Sequence, residues 1–400
     1  MKKHNELIND EGGLRKLCER LSKEKQIAVD TEFIREKTFF PQLEIIQIGS
    51  DKESWLLDAE VIRQSKPMSK LFTDLMRNPK ILKVFHAGQA DEEAIYFTFG
   101  QTVTPIIDTA IAAALCGYGD GVGLANLLSS ALGVKIKKGF ARSNWSLRPL
   151  PDQLKEYAHS DVEFLLNLWK KLESELSALN RVAWAKDLCS KLEDPDTYET
   201  NPEEIAERLF KSGRLDKTGY SILLELVKWR ENRIRSLNIP KKWIADDSVL
   251  LDLASARPKN SEQLLTFRGL NKGEAKKQSD VIIAAIKKGK SNSEEVSVPK
   301  LKREKRLSAA QARSADLLKC FIGILASKNQ IATRYIATSP QINRLVLNKI
   351  RDPDELVESC EITQGAANLA GNEILGFIHG ELGLFIDHGE VKTLDISGKK

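Results

Sequence analysis

Asp30 and Glu32 stand two residues apart inside the apolar run Ile27-Ala-Val-Asp-Thr-Glu-Phe33. Extended backbone puts residues i and i+2 on one face of a strand, so two carboxylates share a face of an otherwise apolar segment. At ~4 Å two such charges repel by about 4 kcal/mol at an effective dielectric of 20. The arrangement calls for a positive charge between them, and a hard divalent cation takes carboxylate oxygens. A third carboxylate, Asp91, closes the run Val84-Phe-His-Ala-Gly-Gln-Ala-Asp91, where the chain leaves a strand-like segment at Gly88 and enters a helix. Sites of α/β folds gather over such strand ends, although the helix dipole alone also favours Asp91-Glu92-Glu93 in a first turn. Tyr157 and Asp161 are four apart in an amphipathic pattern, which puts hydroxyl and carboxylate on one helix face. Leu154, Val162 and Leu165 flank them, so burial adds the cost of an unpartnered charge. His159 lies about 200° around that helix from Tyr157 and falls outside the set.

Elements of two kinds must position these groups. Up to about residue 190 the pattern is α/β. Strand-like runs cover Ile27–Phe33, Glu44–Ile48, Ser54–Leu57, Ile81–Phe85 and Pro105–Ile107. Helical periodicity covers Ser69–Met76, Asp91–Phe99, Leu124–Leu132 and Asp152–Leu179. Short turns between the first three strands predict an antiparallel meander, hence a mixed sheet. Beyond Asn201 strand signals vanish and helices with polar connectors remain. That part repeats at a constant offset of 92: Asn238-Ile-Pro-Lys-Lys-Trp-Ile-Ala245 aligns with Gln330-Ile-Ala-Thr-Arg-Tyr-Ile-Ala337, and Leu253, Leu264, Ile282 and Ile286 meet Leu345, Leu356, Ile374 and Ile378. One small helical domain present twice is expected.

Composition excludes several classes. Five scattered cysteines without a Cys-x-x-Cys pair argue against a disulfide framework or zinc ribbon. The N-terminus lacks a signal-peptide core, and no apolar stretch is long enough to span a bilayer, so a cytoplasmic protein without membrane contact is expected. The net charge is only +5, but residues Arg268 to Ala310 hold 12 basic against 5 acidic side chains. Such a stripe suits a polyanion, or is a solvated helix face with a charged linker. Gly289-Lys-Ser291 lacks the upstream glycine of a phosphate-binding loop, where Ala284 stands. Gly117–Gly123 does not fit Gly-x-Gly-x-x-Gly, and the five histidines have no metal-ligand spacing.

The order Asp-x-Glu on a strand, Asp at a strand-to-helix turn and Tyr-x-x-x-Asp on a late helix resembles the tyrosine branch of the DEDD exonuclease superfamily. The flanking strings Asp30–Gln47, Phe85-His-Ala-Gly88 and Trp145-Ser-Leu-Arg-Pro-Leu150 resemble the ribonuclease D family. Trp229-Arg-Glu231, Asn238-Ile-Pro240 and Arg268-Gly-Leu270 resemble the HRDC domain, of which that family carries two. The second copy lacks the Trp-Arg-Glu string.

The resemblance implies an α/β exonuclease domain of ribonuclease H-like mixed sheet over residues 1–190. An HRDC domain follows over 201–289, then a basic linker over 290–307 and a second all-α HRDC-like domain over 308–400. It implies a 3′→5′ exoribonuclease that releases nucleoside monophosphates and trims structured RNA such as tRNA precursors. Two Mg²⁺ or Mn²⁺ ions would clamp the scissile phosphate. Asp30 would bridge them, Glu32 and Asp161 would complete one shell, and Asp91 would hold the other. Oxygen-only ligands fit these metals better than zinc. Tyr157 would align the attacking water rather than take its proton, since its ordinary pKa is near 10. Thr31, Phe33, His86 and Trp145 are candidate RNA contacts, and a monomer is expected. The competing classes are a non-catalytic RNA- or DNA-binding adaptor on a nuclease fold and a DNA exonuclease.

Overall fold

The computed structural model describes residues 1–137, 139–140, 143–211, 215–298 and 307–397. Among them β1 (Lys2–Ile8), β2 (Gln26–Ile34), β3 (Gln42–Gly49), β4 (Glu53–Asp58), β5 (Leu82–Phe85) and β6 (Ile106–Asp108) form one sheet in the order β1-β4-β3-β2-β5-β6. The pairs β2–β3 and β3–β4 are antiparallel, as the short turns predict. The pairs β1–β4, β2–β5 and β5–β6 are parallel. The sheet is therefore mixed, and β2 sits inside it with its carboxyl end beside those of β5 and β6.

Period-two alternation decides what each face buries. Ile27 and Val29 of β2 point into a core closed by α1 (Glu11–Leu21), α2 (Ala59–Gln64), α3 (Lys66–Met76) and α4 (Gln89–Phe99). Ala28 points the other way, towards α5 (Thr109–Leu115), α6 (Leu124–Leu132), α8 (Leu165–Ala178) and α9 (Val182–Ser190). Asp30 and Glu32 share the face of Ala28, which α7 (Asp152–Glu163) crosses. The predicted helix Asp152–Leu179 is thus two helices, α7 and α8, meeting where Phe164 leaves helical geometry at φ −111° and ψ 0°. The close approach of α7 to the sheet needs a glycine at position 49, where a Cβ would stand 3.1 Å from the Val162 carbonyl oxygen.

The helical half contains α10 (Pro202–Phe210), α11 (Lys217–Leu237), α12 (Asp247–Ala256), α13 (Ser261–Leu264), α14 (Lys272–Ser291), α15 (Ala309–Lys328), α16 (Thr333–Ile336), α17 (Ser339–Leu347), α18 (Pro353–Cys360) and α19 (Gln364–Ile378). The repeat seen in the sequence recurs in the elements. The helices α15, α17, α18 and α19 each begin 92 residues after α11, α12, α13 and α14, and α16 begins 92 residues after the 3₁₀ turn Lys241–Trp243. Leu253 and Leu345, Leu264 and Leu356, and Ile282 and Ile374 are all buried.

The two units differ in how they join the sheet domain. The first has its own core, entered from outside by Phe39 on the β2–β3 connection. The backbone N–H of Phe40 donates to Asn238 Oδ1 at 2.9 Å, and the Arg235 guanidinium lies 5.3 Å from the Phe39 ring centre. The second unit's core is continuous with that of α5, α8 and α9. Gly365 at the start of α19 abuts the Trp184 ring so closely that a Cβ there would lie 2.0 Å from Trp184 Cγ.

One expectation needs correction. The second unit is not all-α: β7 (Leu382–Asp387) and β8 (Glu390–Asp395) form an antiparallel hairpin after α19. Its two-residue turn, His388-Gly389, has φ of 50° and 86°, the left-handed pair that tight hairpins require. The repeat match ends at Ile378, four residues before β7, so it carries no information on this segment. Residues 299–306 of the expected basic linker lie outside the described residues.

Candidate functional site

The carboxyl end of β2 brings Asp30, Glu32 and Asp161 together: one oxygen from each lies within 4.8 Å of the other two. Asp30 and Glu32 come from one face of the strand and Asp161 from α7 above it. The register shifts between Glu32 and Phe33, where the ladder to β3 is irregular. Tyr157, one helical turn before Asp161, sets its hydroxyl beside the Asp161 carboxylate, where it opposes the upward push of burial.

Asp91 arrives differently, and its oxygens are not part of that three-way cluster. It is buried at the start of α4 and accepts a hydrogen bond of 2.5 Å from Thr31 Oγ1, on the opposite face of β2. The preceding turn is tight. Ala87 is left-handed at φ 55°, and a Cβ on Gly88 would sit 2.7 Å from Phe85 Cβ. Asp108 at the end of β6 fixes that turn by accepting from the N–H groups of Ala87 at 2.9 Å and Gly88 at 3.0 Å, while capping α5 through Ala110 N–H at 2.8 Å. Asp108 was missed in the sequence, although an Asp closing an apolar run just before a helix is a cap signal. Its second task, holding the β5–α4 turn, is tertiary and has no local signature.

The three acids of Asp91-Glu92-Glu93 do three jobs. Glu92 is buried and accepts Val103 N–H on both oxygens, at 2.9 and 3.1 Å. Glu93 pairs with Arg35 at 2.7 Å, tying α4 to the connection that follows Glu32.

Electrostatics set the cluster apart. Burial, then the charges of Asp91, Asp161 and Glu32, push Asp30 well above the usual carboxylate range. Burial, then Asp161 and Asp91, raise Glu32 to about 9. Burial raises Asp161 to about 7, against the pull of the Tyr157 hydrogen bond. Burial raises Asp91 to about 6, against the Thr31 hydrogen bond. The charges that act on Asp30 and Glu32 all have one sign. An oxygen-only set at this spacing, short of positive charge, is the donor chemistry that a divalent cation satisfies. Burial and then the charges of Asp161, Glu32 and Asp30 push Tyr157 upward, so the phenol stays protonated at neutral pH.

The remaining candidates separate. Thr31 is buried beside Asp91, while Phe33 is half-buried against the sheet core. His86 is half-buried, with Nδ1 3.0 Å from Thr109 Oγ1. That hydroxyl already donates to the Phe85 carbonyl oxygen at 2.9 Å, so His86 Nδ1 is the donor and the ring braces the turn. Trp145 requires correction as an RNA contact. It is fully buried with Ile45, Leu56, Leu150 and Leu154, so no base can stack on it. Its ring centre is 6.1 Å from that of Tyr157, which it supports from below together with Phe140 at 5.6 Å. Arg148 holds this loop down, donating to the Trp145 carbonyl oxygen at 2.8 Å and to Asp58 at 2.5 Å. His159 is buried against Ser54 Oγ at 2.8 Å, away from the cluster.

A mixed sheet with these acids at its strand ends, followed by helical repeats, defines an exonuclease domain with accessory helical domains. A protein-family model for 3′-5′ exonucleases matches residues 5–177, and one for the HRDC domain matches residues 221–286. Ribonuclease D of Nitrobacter hamburgensis is 32% identical over 98% of this chain and 100% of its own length. Ribonuclease D of Zymomonas mobilis is 34% identical over 96% of this chain and 97% of its own. The crystal structure of Escherichia coli RNase D, described as an exoribonuclease involved in structured RNA processing, superposes with a TM-score of 0.78 at 27% identity, covering 92% of this chain and 98% of that one. The chain belongs to the ribonuclease D family. Among the described residues no helix is long and apolar enough to cross a membrane.

Proposed function

We propose that this chain is a metal-dependent 3′→5′ exoribonuclease that removes nucleoside monophosphates from the 3′ ends of structured RNA, tRNA precursors among them. It acts as a cytoplasmic monomer with Mg²⁺ or Mn²⁺. The observation that carries the reading is the convergence of Asp30, Glu32 and Asp161 within 4.8 Å, with the Tyr157 phenol on Asp161. Asp30, Glu32 and Asp161 would hold a divalent cation, and Asp91 beside them would serve a further one. Bound cations supply positive charge against the scissile phosphate and the departing 3′ oxygen. Tyr157 remains a phenol at working pH, so it orients the attacking water by hydrogen bonding and does not remove its proton. Thr31 keeps Asp91 aimed by the bond between them. Trp145 acts through Tyr157, as the floor that fixes its ring, and Phe33 borders the terminal nucleotide.

The chain divides into an exonuclease domain over 1–190, an HRDC domain over 201–289, a linker over 290–307 and a second HRDC-like domain over 308–400. The common offset of 92 between their helices supports the pairing of the last two. Exposed Lys272, Lys276, Lys277 and Lys287 along α14 offer contacts for RNA phosphates. Product analysis tests the reading. A 5′-labelled RNA with a free 3′ hydroxyl should shorten one nucleotide at a time in Mg²⁺, while a 3′-labelled copy yields labelled mononucleotide at once, and EDTA stops both. Internal fragments, or equal turnover of a matched DNA, would remove the assignment.

A further inference from the structure

The repeated string that first revealed the two helical units has a use of its own. In both units the residues at the 3₁₀ or α turn after the long helix are a cation followed by an aromatic: Lys242-Trp243 and, 92 residues later, Arg334-Tyr335. In both units that pair lines a cavity, together with the N-cap of the last helix, Asn271 in the first and Thr363 in the second.

The second cavity, of about 570 Å³, lies in the seam between the second unit and the exonuclease domain. From the exonuclease side come Ala87 and Gln89 of the β5–α4 turn, Asp108 at the end of β6, and Lys191; from the other come Arg334, Tyr335, Thr338 and Gln341. It therefore opens over the carboxyl ends of β5 and β6, neighbours of the β2 end that carries the acidic cluster, and Gln89 stands two residues before Asp91 in the chain. A volume of this order holds a nucleotide. The lining supplies what a nucleotide asks for: an aromatic face, two cations and amide and hydroxyl groups. The Arg334 guanidinium lies 4.9 Å from the Tyr335 ring centre, its Nη2 3.1 Å from the Tyr335 hydroxyl oxygen, and it also pairs with Asp120 across the seam. The carboxylate of Asp108 is spent on three backbone N–H groups, which lessens its repulsion of a phosphate.

We propose that this seam cavity is a nucleotide-binding subsite, in which Tyr335 stacks on a base and Arg334 and Lys191 meet its phosphate. This rests on the exoribonuclease reading and extends it to a second place of contact. The ligand is either a nucleotide of the RNA strand or a released nucleoside monophosphate; both present the same chemistry. A base stacked on an aromatic ring loses that contact when the ring is removed, so the loss of Tyr335 should weaken binding about tenfold.

The test uses the full chain in EDTA, so that nothing is cleaved, with a fluorescein-labelled twelve-residue oligoadenylate and with AMP as probes. Tyr335→Leu and Arg334→Gln should each weaken the oligonucleotide about tenfold, or weaken AMP about tenfold in a direct calorimetric titration with the oligonucleotide unchanged. The first result assigns the site to the strand and the second to the product. Tyr335→Phe should bind as wild type. Asp120→Asn separates the proposal from a mere clasp, since it breaks the seam ion pair but leaves Arg334 free for phosphate; affinity should hold or rise. Equal weakening by Asp120→Asn and Arg334→Gln, with matched losses of thermal stability, would overturn the proposal. So would unchanged affinity for both probes in Tyr335→Leu and Arg334→Gln. Either failure leaves cleavage of RNA by the wild type untouched, whereas a wild type that cleaves no RNA in Mg²⁺ refutes the exoribonuclease reading instead.

Discussion

Replacing Asp161 by Asn should stabilise the metal-free protein while destroying its activity, and the gain should depend on pH. The Asp161 carboxyl titrates at about 7 in the fold against an ordinary 3.8, because burial penalises its charge. A group raised in this way favours the fold at low pH, where it is protonated in both states. Stability is lost as the pH rises past 3.8, where the unfolded chain ionises first, until the folded group ionises near 7. Between pH 5 and pH 8 the penalty in the wild type therefore grows by on the order of 2–3 kcal/mol, at 1.36 kcal/mol per unit. Asp161 keeps some solvent contact, which screens the effect, so this is a ceiling. Asn keeps the acceptor for the Tyr157 hydroxyl but never ionises. Thermal unfolding in EDTA should put the variant only a few degrees above the wild type near pH 5, and should widen that gap by roughly a further 5–10 °C at pH 8 for a unit of 150–250 residues. Adding Mn²⁺ should raise the wild type, by binding only the folded site, and leave the variant in place. A variant no more stable than wild type at pH 8, or a difference independent of pH, would refute the claim that burial in this acidic cluster penalises the Asp161 charge.

Tyr157→Phe should lower kcat by about 10²-fold without changing oligonucleotide affinity in EDTA, measured by single-turnover cleavage, because it removes an orienting hydroxyl and leaves the ring on Trp145 and Phe140. Gly365→Ala should destabilise the chain, since its Cβ would fall 2.0 Å from Trp184 Cγ, whereas Gly323→Ala in α15, with nothing within 4 Å, should be neutral or stabilising by about 0.5–1 kcal/mol; chemical unfolding compares the two. Lys276→Gln combined with Lys277→Gln should weaken RNA binding and lower the slope of log affinity against log salt by about 1–2, one phosphate contact per lysine. Truncation before residue 308 is a poor alternative test of RNA binding, because the second unit shares its core with the exonuclease domain and its loss would expose Trp184.

The mixed sheet, the meander and the acids of β2 and α7 were legible because they rest on local pattern. Alternation in Ile27–Phe33 puts Asp30 and Glu32 on one face, and the four-residue step puts Tyr157 over Asp161. Helical repeats were legible because apolar positions keep their register over 92 residues. What escaped rests on contacts between distant segments. β1 carries Lys, His, Asn and Glu and becomes a strand only by pairing with β4. Trp145 occurs in a family-like string, yet only the packing of its loop under α7 shows that it is a floor and not a surface. Phe39 looks like any loop aromatic until the first helical unit closes around it. The hairpin Leu382–Asp395 carries a turn signal in His388-Gly389, but an all-α second domain was expected and its flanking strands were not read.

The most direct test of the account is manganese in the crystal. Crystals soaked in Mn²⁺ and measured at its absorption edge should show anomalous density among Asp30, Glu32 and Asp161, lost in Asp161→Asn. A wild-type crystal with those carboxylates apart and no anomalous peak among them would contradict it.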